Sequence, residues 1–427
     1  MKEKLKSLTA VFYTPVLIYF VLFVVISLVA IAAATPLAHI QYPGQNFIMR
    51  QTIFFIVGLV ATFLVMLIGM KWLRFLRWPL YIVSTILLLV IFFYGDNSLD
   101  NCISRPDMLI PCLNGATRWI NLGAFQLQPS EFLRIALILV TADVIQRHNE
   151  KYLHKQRTHL TDLWLIIKAI AVAVLPTLLI FQQRDTGITI LILITTAFML
   201  VTAGIKWTYI VVVGGGALFI ATTFITLVRY NPDFLLSFDF IEAYQLDRFV
   251  GWFDPFSELN HRGMQLGRGL LGMGTGGITG HGFRSFAIFF PEAHTDFIFA
   301  VIGMDFGMIG SMFVIIVSLL FNFSVLNTAV LNRDHFNSHV CVGIFASLMA
   351  QQFWNIGMVL GILPISGVTL PFISHGGSSI LASMIMLGLA LASHIEGLTI
   401  KRNTTIFRED VIYFEEKDTK YSKMGKN

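Results

Sequence analysis

"FFPEAHTDFIFAVIGMDFGMIG", residues 289–310, sets Pro291, Glu292, His294 and Asp296 against an oily run from Phe297 to Ile302, and places a further acid, Asp305, just beyond that run. In water the stretch reads as a helix start, with Asp296 in the place of a capping residue. In a bilayer it marks a helix leaving the polar interface, because a charged side chain at mid-membrane costs roughly 3 kcal/mol unless it faces protein or water. The surrounding solvent decides between the two.

Composition identifies that solvent. Of 427 residues, 56% are hydrophobic and 13% charged, with a mean hydropathy of +0.73, the profile of an integral membrane protein. The net charge of +5 and pI near 9 do not indicate nucleic acid, since Lys and Arg are spread over short loops and the tail. After MKEKLKSLTAVFYTP the first apolar run is about 20 residues, longer than a signal h-region of roughly 7 to 15, and reads as a first span. Cys102, Cys112 and Cys341 are too few and too scattered for a metal site or a disulfide framework. Cys341 reads as a small buried hydrophobe, while Cys102 and Cys112 share one loop in which a bridge is an open option.

Runs able to cross about 30 Å of hydrocarbon at 1.5 Å per residue fall near 13–34, 52–70, 78–94, 132–146, 163–181, 187–203, 208–228, 297–324, 340–360 and 378–396. The expected fold is therefore all-α, with ten transmembrane helices in a single membrane domain. Lys2, Lys4, Lys6, Lys71, Arg74, Arg77, Arg147, Lys151, Lys155, Arg157 and Lys401-Arg402 then share one side, which places both termini in the cytoplasm. Two long outer loops follow, about 95–131 and 229–296, and the second has no apolar run able to span. The charged tail, about 397–427, reads as solvated.

Four polar blocks punctuate this frame. In "GATRWINLGAFQLQPSEF" (115–132), Arg118 sits beside Trp119 on the outer side, where topology gives no reason for a cation, and Pro129-Ser130-Glu131 reads as a helix entry capped by Ser130. In "FQQRDTGITI" (181–190), Asp185 is either a helix cap or, with Arg184, part of a polar cavity lining. In the second long loop, glycines between Gly267 and Gly282 would let backbone N–H groups approach an anion, but no GxxxxGK[ST] sequence occurs, against an ATPase. In "NIGMVLGILPISGVTLPFISHGGSSI" (355–380), prolines and glycines break helices at membrane depth, where irregular backbone must line a cavity or be buried in protein, and Ser374, His375, Ser378 and Ser379 supply polar groups.

"PEAHTDFIFAVIG", "LPFISHGGSS" and "RWINLG…QPSEF", in this order along nearly the whole chain, resemble the SEDS family (shape, elongation, division and sporulation), whose members include RodA, FtsW and SpoVE. The short N-terminus and the lack of a long tail lean slightly to RodA. The resemblance implies a peptidoglycan glycosyltransferase that polymerises lipid II at the outer face of the bacterial cytoplasmic membrane, working with a class B penicillin-binding protein. It implies Asp296 as the catalytic carboxylate, with a partly desolvated position suited to a general base. Substrate-binding candidates are Arg118 for the pyrophosphate, Glu292, His294, Asp185, Ser374, His375 and Ser378, with Arg248 and Arg262 as weaker cations. A divalent cation, Mg or Mn, is the one cofactor that pyrophosphate chemistry leaves room for. The chain departs from the family at Gln183-Arg184-Asp185-Thr186-Gly187, where QPDLGT is usual. It departs again at Met304-Asp305, where two glutamates are usual, and at His375, where Tyr is usual. Asp305 reads as a bundle-facing acid, and Gly343, Ala346 and Ala350 as a small-residue face for a partner helix or for packing within the bundle. A lipid-linked precursor flippase and a non-catalytic scaffold are the competing functions.

Overall fold

The structure, a computed structural model, describes residues 14–95, 108–112, 116–123, 125–153, 157–231, 234–235, 243–257, 259, 263–285 and 287–398. It is helical apart from one short strand pair. In chain order the elements are α1 (Thr14–Gln41), α2 (Phe47–Tyr94), β1 (Ile120–Asn121), β2 (Gln126–Leu127), α3 (Pro129–Lys151), α4 (His159–Gln182) and α5 (Thr186–Thr202). Then follow α6 (Trp207–Tyr230), α7 (Ala243–Phe253), α8 (Met264–Gly276), α9 (Ile298–Leu331), α10 (His335–Val359) and α11 (Gly377–Leu398). Among the described residues, seven helices are long and apolar enough to cross a membrane: α1, α2, α4, α6, α9, α10 and α11. The strands pair antiparallel, Ile120 opposite Leu127.

At 48 residues, α2 would be about 72 Å long if straight, more than twice the hydrocarbon thickness. It is two helices meeting at Gly69, whose φ of 73° lies outside helical space. Near the start of α2, Gln51 donates to the Ser374 carbonyl, and near its end the Leu88 carbonyl accepts from Gln183. Ser374 and Gln183 both lie at the end of the bundle that carries Asp296, whereas Arg77, eight residues past the break, pairs with Asp143 far down α3. The chain therefore reverses at Gly69, as the gap between the runs 52–70 and 78–94 predicts.

The second long loop differs from its expectation. Among its described residues it has no helix long and apolar enough to cross, yet it does not stay outside the bundle. Along α8, Gly269 faces Phe297 and Ala300, Gly272 faces Met304, and a side chain at Gly276 would lie 2.5 Å from the Gly303 carbonyl. The partners advance from Phe297 beside Gly269 to Asp305 beside Gly280, so α8 runs alongside α9, away from Asp296. The chain then turns at 277–285 and returns to Pro291. That turn docks into a break of α9 at Gly307, φ 66°. The N–H groups of Met308 and Ile309 donate to the carbonyls of Gly277 and Ile278, while those of His281 and Gly282 donate to Met304 and Asp305. Backbone groups freed by a helix break inside a membrane need such partners. Residues 264–296 thus form a re-entrant hairpin whose tip lies about 10 Å along α9 from its start. Gly269, Gly272 and Gly276 serve helix contact here.

A second irregularity is resolved by the same tip. Pro36 has no N–H, so the Ala32 carbonyl one turn earlier in α1 lacks its helical donor, and Arg284 Nε supplies one at 2.9 Å. The Arg284 N–H and the Ser285 hydroxyl in turn donate to the two oxygens of Asp305, at 2.8 and 2.6 Å. Asp305 is buried and bundle-facing, as the sequence suggests, and it ties the hairpin to α9.

The Gly343 stripe on α10 faces the bundle. A side chain at Gly343 would lie 2.6 Å from Ile138 and 2.9 Å from Met199, and Ala346 is buried. Packing on α3 and α5 therefore occupies the face, which is not open to a partner helix. Of the cysteines, Cys341 is buried and free and Cys112 is disulfide-bonded, while Cys102 lies outside the described residues.

Candidate active site

The opening stretch forms a turn at the mouth of the bundle. Glu292 takes φ 55°, and its carbonyl accepts from the N–H groups of Thr295 and Phe297. The cap of α9 is Phe297, with no side-chain capping bond, so Asp296 is not a helix cap. Three successive carbonyls are held from behind by α10 and the broken segment that follows it. The His375 N–H donates to His294 at 2.9 Å, Ser374 Oγ to Thr295 at 2.8 Å, and Asn355 Nδ2 to Asp296 at 2.7 Å. Asn355 also donates to the Val368 carbonyl at 2.7 Å, joining α10 to both strands of the site.

The two carboxylates here differ in what they touch. Glu292 Oε1 accepts from the Tyr42 hydroxyl at 3.2 Å and Oε2 from Thr295 Oγ1 at 2.6 Å. Burial and the neighbouring Glu292 charge push the Tyr42 phenol up to about 12, so it stays a donor. Among the described residues no protein group donates to the Asp296 carboxylate. Gly367, at φ 72°, lies beside it, and a side chain there would stand 3.4 Å from Oδ2. Burial, with Glu292 adding to it, raises the Asp296 pKa to about 7, against the pull of Arg118 and Arg248. It therefore titrates in the range where a general base works best.

Two neutral histidines line the same pocket. His294 is buried among Tyr42, Phe47 and His375, with ring centroids 5.4, 4.7 and 5.7 Å away, and burial lowers its pKa. His375 is brought down to about 3 by burial, His294 and Arg50. Its Nδ1 lies 2.9 Å from Gln51 Oε1. The Gln51 amide nitrogen donates to Ser27 Oγ and to the Ser374 carbonyl, so Oε1 must accept and His375 Nδ1 must carry the proton.

Facing them, Arg118 lies over the Trp119 ring, 4.9 Å from its centroid, with Nη1 3.5 Å from Asp185 Oδ1. Of the two roles the sequence allowed, Asp185 takes the cap, through the Ile188 N–H of α5, and it also gathers Gln128 Nε2 at 2.8 Å and Ser130 Oγ at 3.3 Å. Ser130 does not cap α3, because the helix begins one residue earlier with Pro129 at its first position, which frees the hydroxyl for Asp185. Ser378 Oγ donates to the Gln126 carbonyl and accepts from the Gln128 N–H. Asp185, Ser374 and Ser378 are therefore buried and hold the framework, whereas Arg118, Glu292, His375 and Asp296 border the opening. Arg262 lies outside the described residues. Sequence reasoning passed over Asn355, Gln51 and Tyr42; the first two stand out only as amides in or beside apolar runs. Among the described residues no three His, Cys, Asp or Glu side chains converge as a metal ion requires, so these side chains do not by themselves fit a cation.

Residues 10–396 match the FtsW/RodA/SpoVE family, described as cell cycle proteins. A protein of Haemophilus influenzae named probable peptidoglycan glycosyltransferase FtsW is 30% identical over 92% of this chain and 93% of its own. A protein of the same name from Geobacter metallireducens is 31% identical over 82% and 85%. These relatives favour an FtsW-like over a RodA-like member, against the slight lean drawn from the chain ends. Among solved structures, a chain of a peptidoglycan synthase complex that coordinates polymerization and crosslinking superposes with a TM-score of 0.69 at 24% identity, covering 89% of this chain and 97% of that one. The rod shape determining protein RodA of Thermus thermophilus gives 0.60 at 21%, over 90% and 96%. At these identities the structures speak for the fold alone, and the fold they share is that of a multi-pass membrane protein.

Proposed function

The chain belongs to the FtsW/RodA/SpoVE family of cell cycle proteins, and from that premise we propose that it is a peptidoglycan glycosyltransferase that polymerises lipid II. The observation that carries this reading is the contrast between Glu292, whose oxygens both hold protein donors, and Asp296, whose carboxylate is left for a substrate. In the reaction, Asp296 takes the proton of the 4-hydroxyl of one saccharide as its oxygen bonds to the anomeric carbon of another. The bond from that carbon to the undecaprenyl pyrophosphate breaks, and its electron pair leaves with the pyrophosphate. Arg118 and Arg248, the cations that oppose the rise of the Asp296 pKa, offset the charge that develops there. A divalent cation enters only as a companion of the substrate's phosphates, since magnesium is commonly held by one or two carboxylates together with phosphate oxygens. No step depends on it.

The topology follows the same reading. The two halves of α2, with α1, α3, α4, α5, α6, α9, α10 and α11, make ten crossings, which return both chain ends to the side richer in Lys and Arg, the cytoplasm. Asp296 then opens to the outer face. α6 has none of its span buried and packs on α7 through Phe224 and Phe249, ring centroids 5.2 Å apart, so the lipid tail has a path beside it. The partner we propose is a class B penicillin-binding protein, docked elsewhere than on the Gly343 stripe.

The deciding experiment incubates lipid II with the purified protein and its transpeptidase partner in detergent and resolves glycan chains by gel. Polymer from the wild type and none from Asp296→Asn supports the reading. A folded wild-type complex that makes no polymer but moves lipid II across vesicle bilayers would replace it with the flippase.

A further inference from the structure

Between the reversal at Gly69 and the body of the second α2 helix lies "KWLRFLRW", residues 71–78, in which a basic residue and then an aromatic recur every three positions. On the bundle side the basic residues meet one buried carboxylate. Asp143 of α3 takes Arg77 Nη2 at 3.0 Å and Arg147 Nε at 2.8 Å on Oδ2, with Arg74 Nε 3.7 Å from Oδ1. Three guanidinium groups thus share one negative charge, leaving an excess of two positive charges at the end of the bundle opposite Asp296.

The way they share it leaves donors uncommitted. Arg74 and Arg147 both approach Asp143 through Nε, and among the described residues neither uses its Nη groups on a protein acceptor. Arg77 is buried, and its Nε has no partner. Arg77 spends its terminal nitrogens on the protein, Nη1 on the Arg74 carbonyl and Nη2 on Asp143, so the hub leaves the terminal N–H groups of Arg74 and Arg147 for a ligand. Arg74 is further held over the Phe336 ring, 5.0 Å from its centroid, while the Arg147 side chain is 63% exposed. The aromatics of the same stretch set the level: Trp72 and Phe75 are 65% and 69% exposed and pack edge to face, and Trp78 is 39% exposed. Amphipathic and aromatic rings exposed in this way sit at the height of lipid head groups.

We infer that Arg74 and Arg147, held in place by Asp143 and the buried Arg77, form a binding site for the phosphodiester head group of an anionic phospholipid in the leaflet opposite the active site. A phosphodiester presents two unesterified oxygens carrying one charge, the complement of paired guanidinium forks. The acyl chains of such a lipid lie over the apolar surface beside Trp72 and Phe75, which a soluble phosphate would not use. Basic pockets between helices at this level recognise acidic lipids by the same chemistry.

The test uses the full-length protein in detergent, doped with phosphatidylglycerol or phosphatidylcholine, with bound lipid read by native mass spectrometry. Wild type is expected to retain phosphatidylglycerol about tenfold over phosphatidylcholine, and Arg74→Gln with Arg147→Gln to lose that preference. Because Arg147 is largely exposed, Arg147→Gln alone tests the site without threatening the fold, and is expected to weaken retention about threefold or more. Arg50→Gln, at the opposite end, is expected to leave it unchanged. Equal retention of the two lipids by wild type, or undiminished phosphatidylglycerol on both arginine variants, would overturn the inference. Displacement of the lipid by millimolar inorganic phosphate would also overturn it, assigning the site to a free anion.

Discussion

α6 and α10 are nearly the same length, 24 and 25 residues, yet none of the α6 span is buried and 78% of the α10 span is. The more apolar helix is the less buried: mean hydropathy is 2.2 for α6 and 1.2 for α10. In water that order would be reversed. In lipid a leucine gains little by leaving the hydrocarbon for the protein, so apolar character does not drive a helix inward. What draws α10 in is its amides, since Gln351, Gln352 and Asn355 would be unsatisfied against lipid. Gln352 accepts from Asn322 of α9 at 2.5 Å, Gln351 donates to the Thr369 carbonyl at 3.1 Å, and Asn355 holds Asp296. The polar helix is thus built into the active site through Asn355, while the oily one faces lipid along its span.

The largest effect expected from this contrast is at the group α10 holds. Asp296→Asn keeps the clamp on its backbone and removes the proposed base, so lipid II polymerisation should fall by about 10² to 10⁴, with the melting temperature nearly unchanged. Asp305→Asn, which only ties the hairpin, should retain measurable turnover. Equal losses in the two variants would show that the site depends on the fold around Asp296 rather than on its carboxylate.

Next comes the clamp. Asn355→Leu leaves the carbonyls of Asp296 and Val368 without their donor, each at a cost of about 1–3 kcal/mol, and should lower both thermal stability and turnover. A Leu variant as active and stable as wild type would detach α10 from the site.

Smaller again is the difference between two glycines. Gly343→Leu meets Ile138 and Met199 and should cost about 1–3 kcal/mol by overpacking, whereas Gly215→Leu on α6 meets nothing within 4 Å and should be nearly neutral. Thermal unfolding in one detergent compares them directly, and equal costs would mean that α6 packs on the bundle after all.

The mildest test is of pH. Asp296 must be ionised to act, so kcat/KM should rise as pH increases through about 7. Stability runs the other way. An acid whose folded pKa lies above its unfolded one weakens the fold as pH rises between the two values, so Asp296→Asn should become more stable relative to wild type from about pH 4 to 7 and stay level above that. A pH-independent difference would place Asp296 in a solvated setting.

Much of this arrangement could be read from residues alone, and the reason differs from place to place. The reversal at Gly69 is legible because a lipid-spanning run has a fixed length, so a gap between two runs marks a turn. Asp296 draws attention because a carboxyl against an oily run is costly without a purpose, but its role as a base comes from the family resemblance and not from the residues alone. Asn355, Gln51 and Ser130 were not assigned because their partners lie in distant helices, and nothing local separates an amide that clamps a site from one that packs. The hairpin of 264–296 escaped for another reason. Its tip faces protein on one side, so its composition carries no hydropathy signal of depth.

That hairpin has a consequence for the parity of the chain. A segment that enters and leaves through the same face adds an even number of boundary crossings, so its length can change without inverting α9, α10 and α11. An added or lost crossing helix would turn that whole half of the protein over. A change in the length of this hairpin, unlike an added or lost crossing helix, therefore leaves the two clamp residues on the other side of the pocket, Asn355 and Ser374, on the same face of the membrane.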